Sequence, residues 1–291
     1  MCGPHDELRC RACAQKSYAP FQTRRGRPER KVPSVVTLIA ALAANAATLL
    51  YATDPAGPVR YLIAERVPVW EGQLWRLFTA VFPHVNLLHL AFNLYWLWRF
   101  GQVVETWMGS VRFAGFFVVV AMGPLAADFL VSQGGIGLSG VGYALFGLLY
   151  ALRREKGFAA EQMQPSVIQL FVGWFLLCIL LTYSQVMPVA NVAHGAGAVF
   201  GWLIGRSILL RQKLLSLSAI GALAVALVLL TQYMPWNGDY AWHRGAESAQ
   251  KGHFRTALYW YRKALEAHPG AQDLRAYMTW LEQRVGEMPG D

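Results

Sequence analysis

The chain has 291 residues, of which 55% are hydrophobic and 15% charged, and a formal net charge of +9. Apolar runs long enough to cross a hydrocarbon core of about 30 Å exclude a soluble globular enzyme, and open sheet edges cannot be satisfied in lipid. The composition therefore predicts an all-α, polytopic helical membrane protein. In a soluble protein the positive charge would point to nucleic acid, but here Lys and Arg cluster between apolar runs, so they report topology and no nucleic-acid partner is expected.

Residues 1–34 form a polar, basic segment holding three of the four cysteines, Cys2, Cys10 and Cys13, which with His5 read Cys-x2-His-x4-Cys-x2-Cys. Four soft ligands could hold a structural zinc at this N-terminus, as in half of a zinc knuckle. The spacing is compressed and the segment has almost no core, so a disordered tail with free thiols fits it as well.

Seven spans are predicted over residues 35–236, at 35–53, 85–104, 112–132, 137–152, 166–183, 189–205 and 214–233. Arg24, Arg25, Arg27, Arg30 and Lys31 precede the first, Arg112 follows the second, Arg153, Arg154 and Lys156 follow the fourth, and Arg206, Arg211 and Lys213 follow the sixth. The connections at 133–136 and 184–188 carry no charge. By the positive-inside rule the N-terminus is cytoplasmic, and seven spans then put the C-terminal tail outside. Ala44-Asn45-Ala46 has the small-x-small pattern of a signal-peptide cleavage site, yet a cut there would fall inside the apolar run, so the run is read as a span. Cys178, in the fifth span, reads as a packing residue.

Between the first two spans, residues 54–83 form a loop too long for a hairpin, with Tyr61, Trp70, Trp75 and Phe82 suited to the lipid headgroup level. A plain surface loop with a few aromatics is the other reading.

Polar groups inside apolar segments are costly, and several at one level mark a functional site. Ser139 in "GLSG", between Gly137 and Gly140, stands at the external start of the fourth span. Small neighbours would let a substrate backbone approach a nucleophile, although a serine at a helix start can simply be a cap. In the sixth span His194 shares a helical face with Gly197, Gly201 and Gly205, and small residues at this spacing let two helix backbones come close. Packing of that seam on the fourth span would bring the imidazole to Ser139 as a general base. Both residues belong to the outer third of the bilayer. In the second span His89 and Asn93 share a face, with His84 above them, and their imidazole and amide could serve a developing oxyanion together with the Ser139 N–H. A polar cluster that merely joins helices is the bland alternative.

These residues together resemble the rhomboid intramembrane serine proteases, over about residues 70–210: Trp75-Arg76, His84, His89, Asn93, Glu105, Gly109-Ser110, Gly137-x-Ser139-Gly140, Tyr143, and Ala193-His194 followed by Gly197 and Gly201. The resemblance implies a six-helix core with a seventh span added, and a Ser139–His194 dyad with no catalytic aspartate. It further implies an oxyanion hole using Asn93 and His89, Tyr143 stacked under His194, a lateral substrate gate at the fifth span, and catalysis without a cofactor. Transmembrane proteins would be its substrates, the bilayer its surroundings and a bacterial inner membrane its location. A catalytically silent rhomboid-like protein that binds transmembrane clients is the alternative, although such relatives usually lack the serine or the histidine.

Residues 237–291 change character to polar and amphipathic. Trp242, Gly245, Ala249, Gly252, Phe254, Ala257, Tyr261, Ala264 and Pro269 stand at intervals resembling one tetratricopeptide repeat. One repeat cannot bury its own faces, so this external module should dock on the membrane domain, on a second copy or on a protein partner. It carries no candidate catalytic group, and His243, His253 and His268 read as ordinary histidines.

Overall fold

A computed structural model describes residues 34–132 and 134–286. The candidate ligands Cys2, His5, Cys10 and Cys13 lie outside the described residues.

Seven long helices form where the apolar runs predict them: α1 Val35–Thr53, α4 Leu87–Met108, α5 Ser110–Val131, α6 Ser139–Leu152, α8 Pro165–Tyr183, α9 Asn191–Leu209 and α10 Lys213–Leu230. Short helices α2 Arg66–Trp70 and α3 Arg76–Thr79 lie in the loop after α1, and α7 Gly157–Gln162 joins α6 to α8. No strand occurs among the described residues. By length and hydropathy, α1, α5, α8, α9 and α10 are each able to cross a membrane.

The two helices that miss this criterion carry Ser139, His89 and Asn93, whereas His194 lies on α9, which meets it. Helix α4 is interrupted by His89, Asn93, Arg99 and Glu105, whereas α6 has only 14 residues. At 1.5 Å per residue α6 is about 21 Å long, shorter than the hydrocarbon core.

Helix α6 is the centre of the bundle, with Leu145, Leu148, Leu149 and Leu152 all fully buried. Its closest neighbour is α9. A Cβ at Gly201 would collide with the backbone carbonyl of Ala144, and one at Gly205 would lie 2.8 Å from Ala151 Cβ. The glycine seam thus sets the separation of the two helices, because side chains would drive their backbones apart.

At the other end of the bundle, the buried Glu105 carboxylate gathers three chain segments. It accepts the Val36 and Thr37 N–H groups, both at 2.9 Å, and the Thr37 and Ser110 hydroxyls, both at 2.7 Å. The unpaired N–H groups at the start of α1 are satisfied in this way by the last turn of α4, and the start of α5 is tied to the same group.

The loop after α1 is folded rather than extended. Arg76, 4% exposed, donates to the carbonyls of Arg60 and Ile63 and to the Gln73 side chain, while the Thr79 hydroxyl donates to Leu62 O at 2.8 Å. A buried guanidinium with several donors satisfies carbonyls that a loop otherwise leaves unpaired. Trp75 and Tyr61 stay exposed on its surface.

The C-terminal residues form α11 Gly238–Gln250, α12 Phe254–Ala267 and α13 Gln272–Gly286. Asn237 caps α11 by accepting the Tyr240 N–H at 3.0 Å. Tyr240, Ala241, Ala257, Trp260, Tyr261 and Leu274 make their core, which continues into Val69, Leu77 and Ala80 of the loop and Phe129 of α5. Of the three docking partners open to this module, the described residues place it on the membrane domain.

Candidate functional site

Ser139 opens α6, and the turn before it is built by a glycine. Gly137 has φ +108°, a conformation that side-chain-bearing residues rarely adopt, and a Cβ there would come within 2.9 Å of the His89 ring. Its N–H donates to Ala80 O at 3.0 Å, and the next N–H, of Leu138, donates to His84 Nε2 at 3.2 Å. His84 Nδ1 faces Phe82 O at 2.8 Å and the Thr48 hydroxyl at 3.3 Å. This pattern calls for the neutral tautomer with its proton on Nδ1. Burial, with His89 beside it, pushes the His84 pKa down to about 3.

His194 lies in the first turn of α9, 4% exposed, and its Nε2 stands 2.7 Å from Ser139 Oγ. The Tyr143 ring, one turn below Ser139, stacks on the imidazole with centroids 4.8 Å apart and planes at 24°. The Tyr143 hydroxyl donates to Phe171 O of α8 at 3.1 Å. His194 Nδ1 is buried with no hydrogen-bond partner among the described residues, so no carboxylate completes a triad.

His89 and Asn93, four residues apart, share one face of α4, and the His89 ring lies against the Gly137 turn. The His89 ring meets that of His84 with centroids 4.9 Å apart, and its Nδ1 is buried without a hydrogen-bond partner among the described residues. Asn93 is 6% exposed and donates to His89 O at 3.1 Å, which occupies one of its two amide hydrogens. The first N–H groups of α6 have no acceptor within the helix, as at any helix start. Gly140 lies against α9, where a Cβ would be 3.5 Å from Ala193 O, and a Cβ at Gly197 would strike the Gly140 carbonyl. The structure thus brings His194 into contact with both Ser139 and Tyr143, with His84 and His89 bordering the turn that presents the serine. No direct bond joins Asn93 to Ser139.

Asp128 of α5 was not among the sequence candidates. It is fully buried, accepts the Ala193 N–H at 3.2 Å and receives the Ser132 hydroxyl, while Ser132 Oγ accepts Gly134 N–H at 3.2 Å. One carboxylate thereby ties the start of the His194 helix to the strand of chain leading to Ser139. Its legible mark was a lone acid in an otherwise apolar run, a pattern that marks function by default.

Chemically, a hydroxyl hydrogen-bonded to an imidazole, with small residues around it and donors nearby, is the arrangement of an activated nucleophile.

The comparisons with known proteins fall on this region. Residues 71–211 match the family described as Rhomboid domain. The rhomboid protease GlpG of Salmonella paratyphi A is 33% identical over 136 residues, which are 46% of this chain and 48% of that protein. Those of Salmonella choleraesuis and Salmonella newport are 34% and 33% identical over the same length. The chain therefore spans about half the length of the curated relatives it matches. Its region 71–211, with all the polar groups just described except Thr48, is rhomboid-like in sequence and in its helical membrane fold.

Proposed function

We propose that the chain is an intramembrane serine endopeptidase in which Ser139 is the nucleophile and His194 the base. The observation carrying this reading is the 2.7 Å contact of Ser139 Oγ with His194 Nε2 at the start of the short central helix α6. His194 Nε2 takes the hydroxyl proton as Oγ bonds to the scissile carbonyl carbon. The carbonyl oxygen, now an oxyanion, is met by the Ser139 N–H and by the side chains of His89 and Asn93, the latter using its free amide hydrogen. Collapse breaks the C–N bond, and the proton on Nε2 goes to the leaving amine. Water, activated by the same nitrogen, then releases the acyl group from Ser139. No metal or cofactor is needed for any step.

Tyr143 holds the imidazole plane, and Gly137, Gly140, Gly197 and Gly201 keep the approach narrow and close. His84 fixes the turn before the serine. Substrates are transmembrane segments, entering from lipid past α8, of which only Val167, Phe171 and Cys178 are buried. A helical peptide bond is shielded, so segments with small or helix-breaking residues near their outer end should be favoured. The basic connections support a cytoplasmic N-terminus and an external tail, in a bacterial inner membrane. The helix–turn–helix of α11 and α12 supports the tetratricopeptide-like reading of the tail, and with it a protein partner.

The test is cleavage of a single-span membrane protein in liposomes by the purified chain and by Ser139→Ala and His194→Ala. Both variants should be inactive, and the double variant no worse than either. Full activity in Ser139→Ala removes the reading.

A further inference from the structure

The tail is seated on the same loop that supports the nucleophile. Gln232, just beyond α10, donates its side-chain N–H to Val69 O at 2.7 Å, and the Tyr240 hydroxyl donates to Gln232 O at 3.1 Å. Trp70 meets the Tyr240 ring edge-on at 5.3 Å and the His243 ring at 5.7 Å. Arg66 pairs with Asp239, which also faces His268 Nε2 at 3.3 Å. His243 thus packs against the loop, whereas His268 faces Asp239 within the tail itself.

Beneath these contacts lies shared apolar burial. Val69, Leu77 and Ala80 are fully buried, and they lie in one cluster with Met234 and Tyr240, 1% and 3% exposed. Ala80 carries the path to the chemistry, because its carbonyl accepts the Gly137 N–H at 3.0 Å, two residues before Ser139. Loops with few apolar contacts open locally at low free-energy cost. Here Trp70 packs on Tyr240 and His243 of α11, and Val69 shares its buried cluster with Met234 and Tyr240.

We propose that the C-terminal helical module is a built-in strut: its docking through Gln232, Asp239 and Tyr240 holds the loop from Pro58 to Phe82 closed and so keeps the Gly137–Ser139 turn in register with His194. Gln232, Asp239 and Trp70 are positioning residues that act through the loop and touch no substrate. The inference rests on the protease reading and changes the role expected for the tail. A recruitment module would alter KM for natural substrates and leave the serine chemistry alone, whereas a strut sets kcat and the reactivity of Ser139 itself.

The experiment uses the full-length chain in lipid nanodiscs. Wild type, Gln232→Leu, Asp239→Arg, Trp70→Ala and the swap Arg66→Asp with Asp239→Arg are compared for fluorophosphonate labelling rate, for KM and kcat on a single-span substrate, and for hydrogen exchange over residues 66–80. Each of the three single variants should exchange faster in that segment. Labelling and kcat should fall about three- to tenfold, the factor that loss of one net hydrogen bond gives, with KM little changed. The charge swap should recover much of what Asp239→Arg loses, which a general loss of folding would not allow. Faster exchange with labelling and kcat at the wild-type level, a change in KM alone, or unchanged exchange in all three single variants would each overturn the strut. Absence of labelling and cleavage in the wild type would instead bring down the protease reading, and the exchange data would still report whether the tail holds the loop.

Discussion

His84 Nε2 accepts the amide proton of Leu138 at 3.2 Å, one residue before Ser139. The bond exists only while His84 is neutral. Its pKa is lowered to about 3 by burial, so the unfolded chain, with an ordinary histidine near 6.5, takes up the proton first. The stability this neutral histidine contributes is present above about pH 6.5 and is lost as pH falls from there toward about 3. The unfolding midpoint of wild type should therefore exceed that of His84→Gln at neutral pH, and the gap should narrow on acidification. A gap that stays constant from about pH 7 to about pH 4 would contradict the assignment of this bond.

Asn93→Ala removes the amide but leaves the nucleophile and base in place. Turnover should fall by up to about 10²–10³-fold, the range for loss of one oxyanion donor. Because the amide also donates to His89 O, the variant needs its unfolding midpoint measured beside its rate. An unchanged rate would reduce Asn93 to packing.

Gly201→Val places a branched side chain against the Ala144 carbonyl, where even a Cβ collides. Overpacking of this kind typically costs about 1–3 kcal/mol. The helices must part, so Ser139 labelling should be lost together with a lowered unfolding midpoint. Gly173→Val, in α8 where nothing lies within 4 Å of a Cβ, is the control and should be close to neutral for stability.

Glu105→Ala strands donors from Val36, Thr37 and Ser110 in a buried setting. Each unsatisfied buried group costs about 1–3 kcal/mol, so a large drop in unfolding midpoint is expected. Glu105 lies at the opposite end of α4 from His89. The fraction that remains folded should therefore label at Ser139 at the wild-type rate, measured as labelling per folded molecule.

The legible parts of this protein are those governed by helical period and hydropathy. His194, Gly197 and Gly201 fall on one face by simple rotation, which is why their meeting with α6 could be expected. The Asn93 and His89 face followed in the same way, but the occupant of the Asn93 amide did not, because a backbone carbonyl leaves no mark in sequence. Contacts between distant segments were hidden for a similar reason. Nothing local to Glu105 names Val36 or Thr37 as donors, and nothing local to Gln232 names Val69. The aromatics of the loop after α1 were legible, but its fold was not, because Arg76 holds it by satisfying carbonyls that any sequence would possess. Asp128 was visible as an acid in an apolar run, but its work depends on Ala193, 65 residues away.

The central claim is that Ser139 is a nucleophile activated by His194, and the most direct measurement is mapping a fluorophosphonate adduct on the purified chain in lipid by peptide mass spectrometry. The account predicts a single adduct on Ser139 that is absent in Ser139→Ala and greatly slowed in His194→Ala. An adduct on another residue, or one on Ser139 that forms equally fast in His194→Ala, would contradict it.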